Sequence, residues 1–178
     1  MKRRYSVHKI AFLSIMLALA IVLGYAESFI PSWVPGVKLG LANLVVLILL
    51  YSCPFYEAFL VSALRVFIVA LLRGNIFQMP FYMSLAGAVL SFAFMCLAHF
   101  LFEEKLHFLT IYGVSLLGAF MHSLAQVGVA AIFVEHGFAT FSYFPFISFL
   151  SLISGFLMSF VAEKILRSRP LKEMQQEE

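Results

Sequence analysis

The chain has no aspartate, and all nine of its acidic residues are glutamates. Aspartate-rich carboxylate pairs that hold magnesium against a diphosphate are therefore absent, and no Ser/His/Asp set is possible. There is no GxxxxGK[ST] loop to cradle ATP and no HExxH helix to hold zinc. The two cysteines, Cys53 and Cys96, form neither a disulfide framework nor a CxxC pair. Cys96 and His99 stand at i and i+3, but nothing nearby completes a metal site. Catalysis of a familiar kind is not expected, and neither a cofactor nor a metal is implied.

Charge is scarce as well. Only 12% of the 178 residues are charged and 63% are hydrophobic, against about 25% charged in a soluble domain. Such a chain cannot cover a globule with polar surface, so the bilayer is its expected solvent. The apolar runs are continuous rather than alternating, which argues against a β-barrel. The expectation is all-α: one polytopic membrane domain over residues 1–178, built as a bundle of six transmembrane helices. The spans fall at roughly 9–26, 39–53, 56–72, 80–102, 108–134 and 144–166. The second is short for a bilayer that asks for about 20 residues, so it must borrow from the preceding loop or tilt.

The breaks between runs agree with this division. Pro54 ends the second run, Glu57 suits the N-terminus of the third, Arg73-Gly74-Asn75 ends it, and Pro80 opens the fourth. Lys2, Arg3, Arg4 and Lys9 precede the first run, and Lys164, Arg167, Arg169 and Lys172 follow the last. Basic flanks stay cytoplasmic, so both termini are expected inside a plasma membrane, with residues 27–38, 73–80 and 135–143 outside. The basic ends are topology determinants, and no nucleic-acid partner is expected. The N-terminal segment mimics a secretory signal, but reads as a retained first span.

The most informative segment is Glu27 to Asn43, ESFIPSWVPGVKLGLAN. It sets two prolines, two glycines, the only tryptophan, a carboxylate, an ammonium and an amide between two apolar runs. A plain anchor needs none of these, whereas one wall or lid of a cavity for a polar ligand needs them all. Arg65 lies near the middle of the third run. A charge at that depth costs about 2.5–3.5 kcal/mol on insertion scales, so it must face the interior and find a partner. Glu27 is the nearest carboxylate by depth, with Glu57 a weaker alternative. His122 and Gln126, at i and i+4, share one face of the fifth helix. Helix–helix hydrogen bonding and lining of a site both fit that pair. Lys38, Asn43 and Arg73 make the same half of the bundle polar and cationic, which suits a ligand bearing phosphate or carboxylate. Trp33, Phe29 and Tyr82 offer aromatic contact there.

Small residues occur at close-packing spacing. Ser151, Gly155 and Ser159 suit contact within the bundle. Ser14 and Ala18, with Ala11 on an adjoining face, suit either internal packing or docking of a second membrane protein.

The runs ESFIPSWVPGVKLGLANLVVL, LRVFIVALLRGN, SLAGAVLS and HSLAQ resemble the Gx transporter family, whose members also carry the name heptaprenyl diphosphate synthase component I. That family is similar to the substrate-binding S-components of energy-coupling-factor (ECF) transporters. The resemblance implies a binding subunit for a small anionic or vitamin-like metabolite, with Glu27, Lys38, Asn43, Arg65, Arg73, His122 and Gln126 around the ligand. It also implies that Ala11, Ser14 and Ala18 dock a transmembrane coupling subunit with its ATPases. The family's other name implies an alternative, a non-catalytic membrane subunit in heptaprenyl diphosphate synthesis. A membrane component of a flavin- or quinone-linked electron-transfer assembly is a third.

Overall fold

The computed structural model describes residues 7–29, 38, 40–105, 110–133 and 141–168, with the side chains of 102–105 left aside. Within them every regular element is helical. Helix α1 spans Val7–Glu27, α2 Asn43–Ser52, α3 Phe55–Leu72, α4 Met79–Leu97, α5 Ile111–Phe133 and α6 Phe144–Leu166. A π-helical stretch, Ala98–Lys105, prolongs α4, and a 3₁₀ turn, Phe141–Tyr143, leads into α6. All but α2 are long and apolar enough to cross a membrane. The chain is a polytopic helical membrane protein.

Local chemistry sets the boundaries. Proline stands in the first turn of both α4 and α6, where its missing N–H has no helical partner to lose. Pro54 precedes α3, and its carbonyl accepts the Glu57 and Ala58 N–H groups at 3.0 and 3.4 Å. Gly74, at φ +63°, closes α3 in the left-handed region.

Helix α2 departs from expectation. The apolar run at 39–53 yields only ten helical residues, about 15 Å of rise. Gly40 takes φ +84°, and residues 40–44 turn through i→i+3 hydrogen bonds, Gly40 to Asn43 at 2.9 Å and Leu41 to Leu44 at 3.1 Å. What remains is apolar on every side, and Leu44 through Leu50 are all buried. A helix without a polar face belongs in the interior. Accordingly α2 touches each of the other five helices and forms the axis of the bundle.

The most extensive packing joins α4 to α5 and α5 to α6. Small residues allow it, as expected where lipid offers no hydrophobic drive. Gly118 faces Met95, Gly155 faces Ala119, and the Ser115 hydroxyl donates to the Gly155 carbonyl at 2.8 Å. Ser151, Gly155 and Ser159 are all buried, so that stripe serves contact within the bundle. Helix α1 is the least buried of the five long helices. Ala11, Ser14 and Ala18 lie on its exposed side with Ile15 and Val22, and the Ser14 hydroxyl donates back to the Ile10 carbonyl at 2.8 Å. At the start of α1, Lys9 pairs with the buried Glu57 of α3 at 3.4 Å. Lys9 is thus more than a flanking charge, although the pair is not aligned as a hydrogen bond.

A β-carbon at Gly155 would sit 2.8 Å from the Ala119 β-carbon and 3.3 Å from the Ser115 carbonyl oxygen, neither of which can swing aside. Gly155→Ala is therefore expected to destabilise the protein by about 1–3 kcal/mol, the usual cost of overpacking. Thermal unfolding in detergent measures this, and an unchanged midpoint would show that the α5–α6 contact is looser than described.

Candidate functional site: a cationic cavity

Glu27 ends α1 with its side chain buried. A buried carboxylate must be hydrogen-bonded or paired, and its partners are backbone amides. Gly40 N–H makes a short hydrogen bond to Oε1, and Leu41 N–H donates to the same oxygen at 3.3 Å. Only a glycine suits position 40. Besides its positive φ, a β-carbon there would lie 3.2 Å from Asn43 Nδ2 and 3.7 Å from His122 Cδ2. Two residues earlier, Lys38 N–H donates to Gln126 Oε1 of α5 at 3.1 Å. The chain leading into α2 is thus fixed to α1 on one side and to α5 on the other.

Beneath it lies a cavity with about 330 Å³ of empty space, part of it open to the outside. Gly24 and Glu27 of α1, Lys38, Gly40 and Ala42 of the connection, Arg65, Val66 and Val69 of α3, Ser84 of α4 and His122 of α5 line it. A second cavity of about 190 Å³ shares Lys38, Val66, Val69 and Ser84, and adds Arg73, Asn75 and Pro80 at the end of α3 and start of α4. The shared wall makes the two adjoining chambers. Arg65 is buried at the first and Arg73 is exposed at the second, with Lys38 half-buried between them.

Burial pushes the Lys38 ammonium down from 10.5 to about 8. The Glu27 carboxylate opposes this shift, and Arg65 and Arg73 add to it. Glu27 also attracts Arg65, but its hydrogen bonds go to Gly40 and Leu41, so it positions the connection as well as the arginine.

His122 is buried with no hydrogen-bond partner for either ring nitrogen. Its ring rests against α4 at Gly87, where a β-carbon would come within 2.8 Å of Cε1 and 2.9 Å of Nδ1. Gln126 is fully buried, with Oε1 taken by Lys38 N–H and Nε2 unpartnered.

Glu27, Lys38, Arg65 and His122 therefore meet at one chamber, and Arg73 joins Lys38 at the next. Gln126 bears on the site through the backbone of Lys38. Asn43 turns toward α4, its amide donating to Ser91 Oγ at 3.2 Å, and lines neither chamber. Phe29 is exposed beside Tyr25, and Tyr82 stacks on Phe133; Trp33 lies outside the described residues. Ser84, which lines both chambers and donates to the Pro80 carbonyl at 2.7 Å, carries no mark in the sequence beyond its place one turn after a helix-opening proline. Among the described residues no group of three or more His, Cys, Asp or Glu could hold a metal ion, and His99 packs on Tyr51, with ring centroids 4.5 Å apart. What the chambers can do chemically is attract and orient an anion.

The Lys38 value fixes the pH dependence. Below about 8 the side chain is an ammonium, and above it a neutral amine. Affinity for an anion is expected to be flat below pH 8 and to fall as pH rises through that value. Lys38→Arg should carry the plateau beyond pH 9, because a guanidinium keeps its charge. Titration calorimetry from pH 6.5 to 9.5 measures both curves; an identical fall in wild type and variant would show that another group titrates.

A protein-family model described as heptaprenyl diphosphate synthase component I matches residues 16–165. Neither a curated protein nor a solved structure matches the chain. The family match runs from within α1 to the last turn of α6 and takes in every residue that lines the two chambers. The chain belongs to the heptaprenyl diphosphate synthase component I family.

Proposed function

We propose that the chain is the substrate-binding membrane subunit of an ECF-type transporter, taking a small anionic metabolite into the chambers around Lys38. The observation that carries this reading is the cavity itself. Arg65 lines one and Arg73 the other of two adjoining chambers that share Lys38, at one end of a membrane bundle, with Glu27 as the one carboxylate among the described lining residues. A bundle that only needed rigidity would gain nothing from empty space beside a buried arginine. In this reading both termini are cytoplasmic, and the chambers open to the outer face. Lys38 and Arg73 meet the ligand's negative charge, Arg65 holds its inner end, and His122 presents an unpartnered polar edge. Asn43 and Gln126 fix the surrounding walls. The exposed Ala11, Ser14 and Ala18 face of α1 docks a transmembrane coupling subunit, whose ATPases supply energy that this chain has no loop to harvest.

The family description favours a second reading, in which the chain is a non-catalytic membrane component of heptaprenyl diphosphate synthesis. The absence of aspartate argues against a catalytic role there.

Affinity isolation from native membranes with mass spectrometry separates the two. The transport reading expects a coupling subunit, ATPases and a retained small anion. Recovery of a soluble prenyl synthase without them would overturn it in favour of the second. Arg65→Ala and Lys38→Ala each remove a charge-assisted contact of about 1.5–3 kcal/mol. They should weaken retention of the anion about 10- to 100-fold with thermal unfolding preserved. Undiminished retention in both folded variants would remove the site assignment.

A further inference from the structure

We infer that the ligand presents two negative charges to this site and no positive one: it is a small dianion, a phosphate monoester or a dicarboxylate. The inference rests on the reading of the chambers as a ligand site, and it follows from a count of charges. Lys38, Arg65 and Arg73 contribute three positive charges to the adjoining chambers, and Glu27 contributes one negative. Counted over the described residues, with histidine neutral, the walls carry a surplus of two. Arg65 is only 5% exposed, and a cation held away from water is stable only beside a counter-charge. Glu27 balances one cation, and a ligand that reaches both chambers meets Lys38 and Arg73 across their shared wall.

Glu27, the one carboxylate among the described lining residues, is not available to a ligand's ammonium. Its Oε1 accepts from both Gly40 and Leu41 N–H, and replacing those bonds would release the connection that forms the cavity wall. An amino acid or other zwitterion would bring its cation to three others and find no free partner. Size limits the choice further: the two chambers are small and partly open, and they admit a compact polar group rather than a drug-sized ligand. His122 lines the first chamber with its ring against Gly87, and can offer a neutral hydrogen-bonding edge to the same molecule. A phosphate monoester meeting these conditions can be a soluble metabolite or a lipid headgroup.

The test is calorimetry at pH 7.5 on the full chain in phosphatidylcholine nanodiscs, where a phosphate monoester carries close to two charges. The probes are methyl phosphate, succinate, acetate and glycine. At least one of the two dianions is expected to bind tenfold or more tightly than acetate, with glycine not binding; which one binds tells phosphate from dicarboxylate. Doping the nanodiscs with phosphatidic acid tells the sources apart. Competition with methyl phosphate assigns the site to a lipid headgroup, and its absence assigns it to a soluble ligand. Arg73 is exposed at the second chamber, so Arg73→Gln should fold. It should weaken the dianion roughly tenfold, as loss of one nearby charge does at intermediate dielectric, and acetate only about threefold, because the Coulomb energy halves with the ligand's charge. Acetate binding as tightly as either dianion, or Arg73→Gln weakening both alike, would overturn the dianion and leave an anion site standing. Failure of every probe to bind would overturn both.

Discussion

The hydrogen bonds from Gly40 and Leu41 to Glu27 hold the site in being. A chain that leaves a helix inside a membrane protein exposes amide groups that lipid cannot satisfy. Here a carboxylate at the end of α1 satisfies two of them. The same contact sets where Lys38 lies, and so allows its N–H to reach Gln126. It also brings Gly40 against His122, which closes the wall between α1 and α5. Without that carboxylate the connection has no reason to lie over the cavity, and Arg65 loses the counter-charge that makes its burial tolerable.

Around this contact the bundle divides into a firm part and a looser one. Helices α4, α5 and α6 are drawn close by Gly118, Gly155 and the serines between them. Helix α2 is enclosed by everything else. Together they make a platform against which His122 and Ser84 are fixed. The cavity lies on the side where α2 begins late and α1 packs lightly. The early residues of the second apolar run form a polar-backed turn there instead of more helix. Space, charge and unsatisfied hydrogen-bonding capacity therefore coincide at one end of the bundle, as a binding site demands.

The sequence made most of the architecture legible, because prolines and charges punctuate it. Pro54, Pro80 and the Arg73-Gly74 pair mark helix ends within a residue or two of where they fall. The membrane also makes depth a coordinate, so Arg65 and Glu27 could be brought together from their distance along their helices. The length of α2 was not legible in this way. Leu39 to Cys53 is apolar except at Asn43 and Ser52, and the turn that delays the helix involves Glu27, thirteen residues before Gly40. The same holds for the direction of Asn43, which Ser91 decides, and for Gly87, whose lack of a side chain matters only because a histidine ring lies on it. Lys9 looked like a topology signal because basic flanks are common, and its pairing with Glu57 needs the fold to be seen. Periodicity and punctuation report on single helices, whereas these contacts belong to pairs.

Helix α1 is tethered by polar contacts at both ends, and between them Phe12, Met16 and Ala20 pack on the neighbouring helices. Lys9 is held to α3 and Glu27 to the connection into α2, eighteen residues apart, or about 27 Å of helix. That length nearly equals the roughly 30 Å of a bilayer's hydrocarbon core. An exposed helix answers a thicker or thinner membrane by tilting, and the hydrogen bond from Gly40 N–H to Glu27 joins the end of this one to the backbone beside the cavity. The contact that shapes the chamber thus stands at the end of a helix whose length matches the membrane it crosses.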